Sequence, residues 1–190
     1  LYQDAGIVAT VVDSALPASD PSMALIPGRI LRLFQMGPAI DRCLATGEAW
    51  PALRERYLAE LEHAVRAEGY VGVKSHVAEV VGLQAALGSP AEGAGALAAA
   101  RAGNRAAYRR LYAALFTETL HACRRLDIPI HVHTGITGGP WDGPIGQADP
   151  FLLAPLLSRA EFRSNKIVLL HAGYPWIEHA SLMAHAFPQV

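Results

Sequence analysis

The sequence predicts an α/β fold built on a parallel sheet. Three observations carry the prediction. Short apolar runs rich in Val, Ile and Leu recur along the chain, and longer segments with helical periodicity separate them. Polar side chains gather at the carboxyl ends of those runs. With 190 residues, 52% of them hydrophobic, the chain has apolar material for a single domain with a sizeable core, spanning 1–190. A net charge of −1 without long charged runs gives no basis for electrostatic capture of nucleic acid or of a membrane surface. No apolar run approaches the roughly 18 residues of a membrane span.

Taken in order, Ile7 to Val12 (IVATVV) reads as a strand buried on both faces, with Asp13 at its carboxyl end. A Ser/Pro/Asp-rich loop over 14–24 leads to a second strand, Arg29 to Gln35, flanked by Pro27 and Gly37. Leu53 to Glu68 is a helix whose apolar stripe is Leu53, Tyr57, Leu61 and Val65, and Gly69 ends it. Tyr70 to Ser75 is the third strand. Residues 85–103 hold at most a loose helix, because Gly88, Gly93, Gly95 and Gly103 interrupt them. Asn104 caps a helix running to about Leu126, with Tyr108, Leu111, Leu115 and Cys123 on its buried side. The fourth strand is IPIHVH, Ile128 to His133, followed by a glycine-rich loop. Asp149 caps a helix with Pro150 at its first position. Lys166 to Leu170 is the fifth strand, and a last helix runs from Pro175 to about Phe187. The chain opens on LYQDAG, which reads as a helix tail stopped by Gly6, and closes on FPQV, where a strand could begin. The domain is therefore expected to be truncated at both ends.

Asp13, Gln35, Lys74, His133 and His171 all fall at strand ends, where a (β/α)8 TIM-type barrel places its active site. No glycine-rich nucleotide fingerprint follows any strand, which argues against nucleotide-binding sheets. The chain would supply about five consecutive β/α units of such a barrel, which closes with eight. His131 and His133 share one strand face, and His171 takes the matching end position on the next strand. Neighbouring strands lie roughly 4.8 Å apart, so His133 and His171 can converge on one ion. The competing reading is hydrogen-bonded core histidines. Lys74, in an otherwise apolar strand, is costly to bury alone. It can pair with a carboxylate, act as a base, or take up CO₂ as a carbamate that offers oxygen ligands. Asp13 can orient a ligand histidine or cap a helix. His76 lies just beyond Lys74 and is read as facing either the cavity mouth or solvent. Trp141 and Asp142 lie in the loop after His133, where barrel loops shape substrate pockets; turn chemistry would also explain an Asp beside Gly143.

The segments IPIHVHTG and DPFLLAPLLSRAEFRSNKIVLLHAGYPWIEHASLMAHAFPQV resemble the amidohydrolase-related metal-dependent hydrolases. Within that family they are most similar to a branch that includes the amidohydrolase-like domain fused to some fungal and plant glutamine synthetase-like proteins. EGYVGVKSHVAEVVGL matches the strand-and-lysine segment of that branch. The resemblance implies a TIM-type barrel with one or two divalent ions, usually zinc. His133 corresponds to the fifth-strand ligand. His171 corresponds to the sixth-strand histidine, a metal ligand or a catalytic group, and Lys74 to the lysine that some members carbamylate. His131, His76, Trp141 and Asp142 are left as substrate contacts. The first-strand His-x-His and the eighth-strand Asp of such families have no counterpart in this sequence.

The activity implied is hydrolysis of an amide-like C–N bond in a small-molecule substrate by metal-activated water. Two alternatives stay open: a decarboxylase or hydratase on the same barrel, and a non-catalytic barrel domain fused to a glutamine synthetase-like partner. The 190-residue piece alone is expected to be inactive. A homo-oligomer is an open expectation. Cys43 and Cys123 are far apart in sequence and read as reduced thiols of a cytoplasmic protein.

Overall fold

The computed structural model describes residues 2, 4–14, 20–136 and 145–190. Five strands form one parallel sheet in the order β1-β2-β3-β4-β5. They are β1 (Ala9–Val12), β2 (Arg29–Gln35), β3 (Gly72–Ser75), β4 (Pro129–Val132) and β5 (Lys166–Leu169). Strand order follows sequence order, with none of the reversal that marks a doubly wound sheet. Crossovers between parallel neighbours follow a right-handed rule, which in this order keeps the helices on one face and leaves the other for a barrel interior. The fold is thus α/β, a run of β/α units of a TIM-type barrel.

The strand register separates the two faces row by row. Phe34, Val73, Ile130 and Ile167 are consecutive cross-strand partners. All four are buried and belong to the core packed against the helices. The next row, one residue on, is Gln35, Lys74, His131 and Val168. Because side chains alternate along a strand, this polar row faces the opposite way, into the barrel side.

Seven α-helices are described: α1 (Met36–Ala45), α2 (Trp50–Arg66), α3 (Val77–Val80), α4 (Pro90–Arg101), α5 (Arg105–Leu126), α6 (Ala154–Leu157) and α7 (Ile177–Ala186). The stripe predicted for α2 packs as expected, with Leu53, Tyr57 and Leu61 fully buried and Val65 partly so. Asn104 caps α5, its side chain accepting from the Ala107 amide at 3.0 Å. Leu111, Leu115 and Cys123 are buried as expected.

Several expectations are corrected. The Ile7–Val12 run is not buried on both faces: Val8 is 83% exposed and Val11 49%. β1 is bonded only to β2, and an apolar run does not reveal whether a strand is central or at an edge. Residues 2 and 4–6 form a turn, closed by the Ile7 N–H donating to the Tyr2 carbonyl at 2.9 Å, with Gly6 at φ +66°. α1 lies beyond the expected elements, because Gly37 reads as the end of the preceding strand. Pro38 lies in the first turn, where an amide would have no helical partner anyway. The stretch expected to be loose contains a regular helix, α4, with Ser89 and Glu92 closing a capping box. Gly93 in α4 serves packing, since a Cβ there would lie 2.4 Å from the Trp50 ring. Asp149 caps a 3-10 turn, Pro150–Leu153, that leads into the short α6.

Candidate active site at the strand ends

Lys74 stands at the centre of the polar row and is 3% exposed. Its ammonium donates to Asp13 Oδ2 at 2.8 Å and to His76 Nε2 at 2.7 Å. An ammonium can only donate, so Nε2 of His76 accepts and the ring proton sits on Nδ1. The other Asp13 oxygen accepts from Gln35 Nε2 at 2.5 Å. Burial raises the Asp13 pKa, but the hydrogen bonds from Lys74 and Gln35 and the Lys74 charge outweigh it, so the carboxyl lies below its usual range. Of the alternatives open for Lys74 and Asp13, the structure forms the lysine–carboxylate ion pair.

His133 is carried just past β4, its amide continuing the sheet by donating to the Ser75 carbonyl at 3.0 Å. Its ring is 5% exposed, and Nε2 is buried without a hydrogen-bond partner among the described residues. The ring centroid lies 6.0 Å from that of His76 and 4.7 Å from that of His171. Burial, reinforced by the charges of His171, Lys74 and His76, pushes its pKa down to about 4, so the ring is neutral near pH 7 with a free lone pair. His76 is shifted down as well, by burial first and then by Lys74.

Glu79 completes the group. Its carboxylate oxygens lie 3.9 Å from His133 Nε2 and 3.8 Å from His76 Nε2. Burial raises its pKa, opposed by the Lys74 charge. One ligand atom each from His76, Glu79 and His133 lies within 4.8 Å of the others. Sequence reasoning missed Glu79. The signal available was its place three residues after His76, which puts both on one side of a helical turn.

The structure brings Lys74, His76 and His133 together and sets His171 beside them. His171 follows β5 in a 3-10 turn, with φ +63°; Ala172 follows at +49°. Two successive non-glycine residues in the left-handed region are costly and point to a site the surroundings enforce. The Thr134 hydroxyl donates to the Leu170 carbonyl at 2.6 Å, and the Ile136 amide to the Tyr174 carbonyl at 2.8 Å, tying the ends of β4 and β5 together. Gly135, at φ +74°, lies between them, where a Cβ would be 2.2 Å from the Tyr174 oxygen. His131 is half-buried beside Lys74, its pKa lowered by burial. Trp141 and Asp142 lie outside the described residues.

The Amidohydrolase family model matches residues 41–190. This chain belongs to the amidohydrolase family. A solved structure from Lactobacillus casei ATCC 334, described as a candidate metal-dependent hydrolase, superposes with a TM-score of 0.81 at 21% identity. The alignment covers 95% of this chain and 49% of that one, so the chain spans about half the length of that protein. At that identity the likeness establishes the fold. No curated protein sequence matches.

In this member of the amidohydrolase family, a metal has a place that fits on chemical grounds. His133 offers a neutral nitrogen with nothing else to bind, and Glu79 supplies an anionic oxygen facing it. His76 adds a second imidazole once Lys74 donates to Asp13 alone. Nitrogen and carboxylate oxygen donors of this kind suit zinc and related divalent ions. Among the described residues no helix is long and apolar enough to cross a membrane.

Proposed function

We propose that this chain forms part of the active site of a metal-dependent hydrolase acting on an amide-like C–N bond of a small-molecule substrate. The observation that carries the reading is the buried, unpartnered Nε2 of His133, held within 3.9 Å of a carboxylate. An imidazole nitrogen left unsatisfied in the interior costs about 1–3 kcal/mol, and binding a divalent ion, zinc in this reading, removes that cost. When bound, such an ion lowers the pKa of water and polarises a carbonyl oxygen.

The chain's own residues then take defined parts. His133 and Glu79 would hold the ion, with His76 as the further ligand. Lys74 would turn its donation to Asp13 alone, which leaves Nε2 of His76 to the ion. His171, with its ring against His133, is placed to donate a hydrogen bond to oxygen on the substrate as charge develops there. His131 lines the interior below them as a substrate contact. The missing ligands and the three further strands of a closed barrel would come from chain outside these residues, and the piece alone would be inactive. The resemblance of the Lys74 segment favours the branch fused to glutamine synthetase-like proteins. Cys43 and Cys123 are unpaired and buried, which fits the reducing cytoplasm.

The test is metal analysis of the full-length protein together with product analysis on a panel of amides. We expect stoichiometric divalent metal, lost in His133→Ala, and amine release that stops with it. Full-length protein without metal, unchanged by His133→Ala, would overturn the proposal. Carbon dioxide without a C–N cleavage product would reassign the reaction to a lyase.

A further inference from the structure

The His76–Glu79 arm of the site is carried by α3, a single turn. So short a helix has little stability of its own and takes its position from its surroundings. The Glu79 and Val80 amides both donate to the His76 carbonyl at 3.0 Å. The amides that open the turn have no helical partner, and His76, at the N-cap, provides no side-chain cap. Two hydroxyls take that role. The Val77 amide donates to Ser75 Oγ at 3.2 Å, and the His76 amide donates to the Tyr112 hydroxyl at 3.0 Å. These two hydroxyls lie 3.3 Å apart.

Tyr112 reaches the turn from behind the sheet. It sits in α5, a 22-residue helix, and is fully buried. Burial pushes its phenol up to about 12, so the hydroxyl keeps its proton. It can then accept from His76 and donate to Ser75 at once. Ser75 is likewise fully buried and ends β3. The orientation of His76 and Glu79 is thereby tied to a 22-residue helix and to the central strand of the sheet.

We propose that Tyr112 is a positioning residue for the metal-binding arm: its hydroxyl fixes the turn that carries His76 and Glu79 so that both face His133. This rests on the reading of those three residues as metal ligands. Groups that orient ligands in this way commonly change metal affinity by about 10–100-fold when removed.

A control is built into the same core. Tyr57 is also fully buried, and its hydroxyl pairs with Thr119 Oγ1 at 2.8 Å between α2 and α5, with no bond to the strand ends. Co(II) is titrated into full-length wild type, His133→Ala, Tyr112→Phe and Tyr57→Phe, reading the visible cobalt bands, and each protein is melted in parallel. We expect both Tyr→Phe variants to lower Tm, but only Tyr112→Phe to weaken Co(II) binding, by about tenfold or more, with altered bands. If wild type and His133→Ala bind alike, the metal reading itself fails. If His133→Ala loses binding while Tyr112→Phe binds as wild type, or Tyr57→Phe weakens binding equally, the positioning role is overturned. Should Tyr112→Phe not fold, Ser75→Ala carries the same test, because it removes the partner of the Val77 amide at little change in volume.

Discussion

The helical layer and the strand ends of this molecule are built from different materials. In the layer, Leu53, Leu61, Leu111, Leu115 and Leu120 are fully buried against one another. A polar pair placed among them closes on itself: Tyr57 pairs with Thr119, whose hydroxyl donates on to the Leu115 carbonyl at 2.7 Å. A few residues away, at the strand ends, an ammonium is buried beside one carboxylate, and His133 keeps an unpaired nitrogen. Three histidine rings crowd together, and His171 and Ala172 hold left-handed backbones. The layer minimises its free energy locally. The strand ends hold groups in states they would not adopt alone. That contrast locates function without reference to any relative.

The comparison can be broken most forcefully at Gly135. Gly135→Ala places a Cβ against the Tyr174 carbonyl at a positive φ, and should cost about 4 kcal/mol in urea unfolding, combining backbone strain with overpacking. Gly93→Ala meets the side chain of Trp50, not backbone; an equal or larger loss there would deny the strand ends their special rigidity. Next, Leu111→Ala should cost about 3 kcal/mol through lost burial and a cavity in the layer, with Co(II) affinity unchanged in the folded protein. A large change in affinity would mean the two regions are not separable.

A smaller effect is expected at the buried pair. Asp13→Ala should cost about 1–2 kcal/mol, less than the ~3–5 kcal/mol of a fully buried pair because the Asp13 side chain keeps a third of its surface exposed. Adding Lys74→Met should recover most of that loss in denaturant melts, since no charge is then left alone. The smallest effect has the opposite sign. His133→Phe removes an unsatisfied nitrogen while keeping a ring against His171, and should stabilise the chain by about 1 kcal/mol while abolishing metal binding. Lower stability in that variant would show that His133 has a structural partner.

Much of the framework was legible in the sequence. The spacing of Leu53, Tyr57 and Leu61, the cap at Asn104 and the apolar runs of β2 to β5 are local signals, and the structure follows them. α1 and α4 were not, because Gly37 and Gly93 carry opposite meanings in different contexts: a breaker in isolation, a first-turn residue or a seat for Trp50 once packed. The exposure of β1 was equally hidden, since edge position belongs to the sheet and not to the strand.

The site divides in the same way. The sequence alone determined that His131 and His133 share a face, because alternation along a strand fixes it; Lys74 joined their side only through the cross-strand register. The sequence also determined that His133 and His171 end neighbouring strands. Only the tertiary structure decided that Lys74 pairs with Asp13, 61 residues away, that Glu79 turns towards His133, and that Tyr112 holds the arm between them. Those are contacts across the sheet and from the layer behind it, and their energies depend on distances that no local pattern encodes.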